Sequence, residues 1–86
     1  MMKVWQPTNE EIEKTKGWGT WSKEASEFSW YYDDTETCYI LEGEASATDK
    51  QGNRIRFKAG DMVQFRQGLS CTWKISKTIR KRYQFG

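Results

Sequence analysis

Glu36-Thr37-Cys38-Tyr39-Ile40-Leu41-Glu42-Gly43, followed by Gly60-Asp61-Met62-Val63-Gln64-Phe65-Arg66-Gln67-Gly68, decides the fold of this chain. The first stretch opens a long strand, Glu36 to Thr48. Glycine inside a strand pattern marks a bulge, so the strand is expected to bend at Gly43. In the second stretch Gly60-Asp61 turns the chain into a short strand, Met62 to Phe65. Arg66-Gln67-Gly68-Leu69 turns it out again.

Strand signals continue in both directions. Asp49 to Asn53 reads as a hairpin loop, and Arg54 to Phe57 as a strand with one wet face. Cys71 to Ile75 and Ile79 to Phe85 alternate as two further strands. Upstream, Asp33-Asp34-Thr35 is a turn, and Trp21 to Lys23 and Phe28 to Tyr32 are rich in β-formers. Thr8-Asn9-Glu10-Glu11 has the form of a capping box, which predicts a short helix from Asn9 to Thr15 that stops before Gly17. Ile12 is its only residue to bury. Many short strands argue an all-β sandwich or closed barrel, in which few edges stay open to aggregation. The expected organisation is an N-terminal segment, 1–17, and one barrel domain, 18–86.

Composition bounds the rest. A chain of 86 residues is one domain and buries only about 60% of its unfolded surface. Its core must come from large side chains; aromatics are 15% of the chain and include five Trp. A net charge of +2 calls for neither nucleic acid nor a membrane. Glu10, Glu11 and Glu13 near the start, and Lys74, Lys77, Arg80, Lys81 and Arg82 near the end, read as solvated faces. No apolar run approaches the ~18 residues of a membrane span, and the start lacks a secretory h-region. A cytoplasmic location is expected, with Cys38 and Cys71 as free thiols.

The two opening stretches resemble the motifs of the cupins. The family's first motif runs G-x5-H-x-H-x3-4-E-x6-G, and its second G-x5-P-x-G-x2-H-x3-N. Glu36 and Gly43 keep the first frame, and Gly60 and Gly68 fit the second. The chain contains no histidine. Trp30, Tyr32 and Cys71 stand at the histidine positions, Arg66 at the Pro position and Ile75 at the Asn position. The resemblance covers roughly residues 18–86 and is nearest to small one-domain cupins similar to the ureidoglycine aminohydrolase and ethanolamine-utilisation cupins. It implies a conical jelly-roll barrel with a ligand pocket inside, and often a dimer.

The two-residue period assigns faces. With Glu36 inward, Cys38 and Ile40 follow it, and Tyr39 and Leu41 face outward. Trp30 and Tyr32 share a face with Phe28, Cys71 with Trp73 and Ile75, and Lys81 with Ile79, Tyr83 and Phe85. The expected core is Trp30, Ile40, Phe57, Val63, Phe65 and Trp73. Glu36 is then a desolvated carboxyl among aromatics, a candidate general acid or base. The plainer role is a carboxylate hydrogen-bonded to its neighbours.

Cys71 is a candidate nucleophile if Lys81 or Lys23 supplies a positive field, and otherwise a small core residue. Lys23, Trp30, Tyr32, Cys38, Trp73 and Lys81 are the candidate ligand contacts, with Lys23 otherwise a snorkelling surface lysine. Only Glu36, Cys38, Cys71 and Tyr32 could ligate a metal, and binding needs their deprotonated forms. No metal or other cofactor is expected.

Two functional classes compete. One is a cupin that binds a polar or anionic small molecule inside an aromatic barrel, with metal-free isomerase, epimerase or hydrolase chemistry through Glu36. The other is an interaction module for single-stranded nucleic acid or a protein, which needs aromatics outside among its cations. Arg54, Arg56, Arg80 and Arg82 alternate with Ile55, Phe57, Ile79 and Tyr83, which puts the aromatics inside. The first class is favoured, with no nucleic-acid or membrane partner. Outward Tyr39 and Leu41 call for a cover, either a partner's sheet in a homodimer, which is the expectation, or an N-terminal strand around Val4 and Trp5.

Overall fold

The computed structural model describes residues 1–86. Seven strands and one short helix follow in chain order: β1 (Met2–Trp5), α1 (Asn9–Lys14), β2 (Gly19–Lys23), β3 (Ser26–Tyr31), β4 (Glu36–Asp49), β5 (Arg54–Lys58), β6 (Met62–Phe65) and β7 (Ser70–Phe85). A single 3-10 turn, Thr15–Gly17, closes the helix. The architecture is the expected all-β jelly roll.

Two long strands organise it. The first half of β4 pairs with β6 and with the second half of β7, as in Glu36 opposite both Phe65 and Phe85. Its second half pairs with β5 and with the first half of β7, as in Ala47 opposite Ile55 and Trp73. β1 extends the first arrangement beyond β6, and β2 lies outside the second half of β7. β3 lies outside the first half of β7. Each long strand therefore serves two sheet halves, β1-β6-β4-β7-β2 and β5-β4-β7-β3, joined at a bend.

Gly43 makes the bend. Its φ is +94°, and a Cβ there would lie 2.1 Å from the Thr78 carbonyl oxygen and 2.7 Å from that of Lys77. Register shifts accompany it between Ile40 and Ala45. They move the buried set of β4 from Glu36, Cys38 and Ile40 to Ala45 and Ala47, from even to odd positions. One bulged strand can thus face the interior from both halves.

The second half of the bend corrects the sequence reading. Ser76, Lys77 and Thr78 are exposed and look like a break between two strands, yet β7 runs unbroken through them. Backbone approach decides this: the Lys77 and Thr78 carbonyls pack against Gly43, and Ser76 Oγ donates to the Glu44 carbonyl. The start of the chain also joins the sheet, since Met2–Trp5 is a strand with its own partner.

The core contains Ile40, Phe57, Val63, Phe65 and Trp73 as expected, together with Tyr32, Leu69, Ile75 and Ile79. Trp30 does not belong to it: the residue is 50% exposed. Its strand pairs only with β7, and its inward face near the strand's end lies at an open mouth. Helix α1 buries none of its residues and is held by its cap. Thr8 Oγ1 accepts from Glu11 N at 3.2 Å, and Thr8 N donates to Glu11 Oε1 at 3.0 Å.

Candidate functional site

The two sheet halves face each other across a cavity of about 180 Å³. Trp21 from β2 and Glu36, Lys81, Tyr83 and Phe85 from β4 and β7 line one side. Phe28, Trp30 and Trp73 line the other, with Tyr32 from the segment after β3. The walls are aromatic and interlocked. Phe28 stacks on Trp73 with centroids 5.9 Å apart, and Trp21 meets Trp73 edge-on at 6.0 Å. Half-exposed Trp30 and Phe85 stand at the rim.

One charged pair lies in this apolar setting. Lys81 Nζ donates to Glu36 Oε2 at 2.5 Å, and the two residues are 6% and 4% exposed. Strand register brings them together: Glu36 starts β4, and Lys81 stands on β7 opposite Ile40, where both point inward. The Lys81 ammonium also sits 4.7 Å from the Trp21 ring centroid and 5.0 Å from that of Trp73. Two ring faces thus supplement one carboxylate in compensating its desolvation. Cys38 Sγ donates to the same Glu36 oxygen at 2.8 Å. Both hydrogen bonds to the carboxylate end on Oε2, which leaves Oε1 as its free acceptor.

Tyr32 is anchored on the opposite side. Its hydroxyl accepts from Trp73 Nε1 at 3.0 Å, and its ring stacks on Phe65 at 4.7 Å. Burial first, and then the charges of Glu36 and Cys38, push its phenol far above the ordinary tyrosine range. It is a neutral hydroxyl at any physiological pH. Burial likewise pushes the Cys38 thiol up, although Lys81 pulls the other way.

Of the residues expected from sequence, Glu36, Lys81, Tyr32, Trp30 and Trp73 meet in this one cavity. Cys38 touches it only through Glu36. Cys71 does not face it: it borders a separate hollow with Tyr31, Thr48 and Asp49. Burial, then the Asp49 charge, push its thiol up to about 11. A protonated thiol with no base beside it is a poor nucleophile, and neither Lys81 nor Lys23 borders this hollow to supply the positive field that the nucleophile reading of Cys71 required. Lys23 is exposed and does not line the cavity; its Nζ lies 5.2 Å from the Phe28 ring centroid. Trp21, Phe28, Tyr83 and Phe85 were not among the expected contacts. Their parity with Lys23, Trp30 and Lys81 is the signal that finds them.

The donor set does not suit a metal. Trp30 has no lone pair to offer, the Tyr32 phenol holds its proton, and the Glu36 carboxylate already carries the Lys81 ammonium. Nowhere do three His, Cys, Asp or Glu side chains gather in a metal-binding group.

A one-domain jelly roll with an aromatic cavity between its two sheet halves defines a small cupin. The chain belongs to the EutQ-like cupin domain family, whose model matches residues 10–83. It is similar to a DUF861 family protein from Thermotoga maritima, with 42% identity, 100% of each chain covered and a TM-score of 0.97. A DUF861 family protein of unknown function from Pseudomonas syringae shares 26% identity over 79% of this chain and 29% of that one, with a TM-score of 0.71. The Clostridium difficile EutQ protein shares the fold, with 16% identity, 78% and 52% coverage and a TM-score of 0.72. No curated protein matches. No helix is long and apolar enough to cross a membrane.

Proposed function

We propose that the cavity binds a small organic molecule whose apolar body lies among Trp21, Phe28 and Trp73 and whose polar end meets Lys81 and Glu36. The observation that carries this is a buried ion pair facing a cavity otherwise walled by aromatic rings. A buried salt bridge contributes little more to stability than well-packed apolar residues of the same volume. Stability alone therefore does not account for such a pair beside a cavity, and orienting a ligand is a use that its geometry supports. The cavity is smaller than the ~300–1,000 Å³ of drug-sized sites, so the occupant is small or extends past Trp30 and Phe85.

Any chemistry there runs through Glu36. Oε2 is held by Lys81 and Cys38, and Oε1 is free to take or return a proton from a bound molecule. Proton movement of this kind suits an isomerase, an epimerase or a hydrolase. Neither Cys71 nor Lys23 takes part.

A thermal-shift screen of small metabolites, run on wild type, Glu36→Gln and Cys71→Ala, tests this. Hits should stabilise wild type and Cys71→Ala alike and lose most of their effect on Glu36→Gln. An empty screen on wild type, or hits indifferent to Glu36→Gln, would overturn the reading.

A further inference from the structure

Resting on that cavity, we infer that it selects a ligand whose polar end is uncharged and offers an acceptor beside a donor, as a carboxamide or lactam edge does. The cavity lining contains two charged residues, Glu36 and Lys81, and they neutralise each other. A carboxylate that came to Lys81 would bring a second negative charge against Glu36, among rings that cannot solvate it. An ammonium that came to Glu36 would meet Lys81 in the same way. Either ligand leaves a buried charge uncompensated, which is the costly state.

A neutral edge avoids both. Its carbonyl accepts from Lys81 Nζ, and its N–H donates to Glu36 Oε1, the carboxylate oxygen that has no donor in the protein. Both contacts are charge-assisted, and the ion pair stays closed. The walls suit a flat body. Phe28 and Trp73 lie nearly parallel, 21° apart, and Trp21 stands at 74° to Trp73. Together they form a corner against which a planar ring can rest. Of the polar or anionic ligands expected from sequence, the closed ion pair favours the neutral polar ones, because Lys23 does not line the cavity and Lys81 does. The structure gives that cation its counter-ion.

Benzamide, benzoate and benzylamine share one ring and differ in the charge of the head group. 2-Pyridone adds a lactam edge within the ring. Titration calorimetry of each against wild type should give benzamide or 2-pyridone at least about tenfold tighter than benzoate and benzylamine. Quenching of Trp fluorescence offers a second readout, since Trp21, Trp30 and Trp73 line the cavity.

Two variants make the order invert. Glu36→Gln leaves Lys81 without a counter-ion and should turn the preference to benzoate. Lys81→Gln leaves Glu36 alone and should turn it to benzylamine. Near-ultraviolet circular dichroism confirms that each variant is folded, and where one is not, the wild-type order alone decides. Benzoate or benzylamine binding tightest to wild type overturns the inference, as does an order unchanged in both folded variants. If none of the four probes binds while the metabolite screen gives hits, this inference falls and the cavity reading stands. If the screen is also empty, both fall.

Discussion

Replacing Gly43 and Gly52 by alanine, one at a time, measures what the bend between the sheet halves demands of its backbone. Both glycines have positive φ, +94° and +89°. Both substitutions therefore carry the conformational penalty of placing a Cβ in the left-handed region, about 1–2 kcal/mol. Only Gly43 meets anything. Its new Cβ would lie 2.1 Å from one backbone carbonyl oxygen and 2.7 Å from another, whereas nothing lies within 4 Å at Gly52.

A carbonyl in a strand cannot rotate aside as a side-chain tip can. The strands must part, at a cost of about 1–3 kcal/mol for a methyl forced into a packed site. Gly43→Ala should thus be less stable than Gly52→Ala by about 2 kcal/mol, or roughly 8–16 °C in Tm for a domain of this size. Urea and thermal unfolding, followed by circular dichroism and Trp fluorescence, give the comparison. Stabilities within about 0.5 kcal/mol of each other would refute the claim that close strand approach fixes Gly43, and would leave φ as the whole explanation.

Three further outcomes are expected. Lys81→Met strands a buried carboxylate and should cost about 3–5 kcal/mol, whereas Lys81→Met with Glu36→Leu should recover most of that; a double variant as unstable as the sum of the singles would contradict the buried-pair argument. Tyr32→Phe removes the acceptor of the buried Trp73 Nε1 hydrogen bond and should cost about 1–3 kcal/mol, but much less in a Trp73→Phe background, as a double-mutant cycle would show. Cys71 keeps its proton in the folded state up to about 11 against an ordinary value of 9.0, so its contribution is complete below pH 9 and declines as pH rises toward 11. Cys38 and Tyr32 are shifted in the same direction. Cys71→Ala should therefore flatten the alkaline loss of stability in part, and an unchanged profile would show that the thiol does not titrate there.

The fold was legible wherever side-chain alternation and glycine carried it. Glu36 to Gly43 announced a bent strand, and Met62–Phe65 was bounded by its two turns; both stand as read. The continuity of β7 was not legible, because what holds Ser76 to Thr78 in the strand is backbone approach to Gly43, which leaves no apolar mark in the sequence. Trp30 shows another limit. Parity placed it on the inward face correctly, but parity does not say where the opposing sheet ends, so the residue became a rim rather than a core side chain. Glu36 and Lys81 were both read as inward. Their direct contact depended on the register of two strands far apart in sequence, which no local pattern encodes. Cys71 shares the inward parity of Trp73 but lies nearer the strand's start, opposite Asp49 and Trp30, and borders a different hollow.

The last strand is also the one on which the others depend. β2 and β3 have no hydrogen-bonded partner except β7, and both halves of β4 pair with it. During synthesis those strands emerge first and wait. Domains whose contacts are mostly non-local fold slowly, and unpaired strand edges are exposed meanwhile. Phe28 meets both Trp21 and Trp30 edge-on, but the ring against which Trp21 and Phe28 both pack, Trp73, belongs to β7 and arrives last. The domain can close only once the strand ending at Phe85 has entered between its neighbours, and a chain stopped short of it leaves β2 and β3 without a partner.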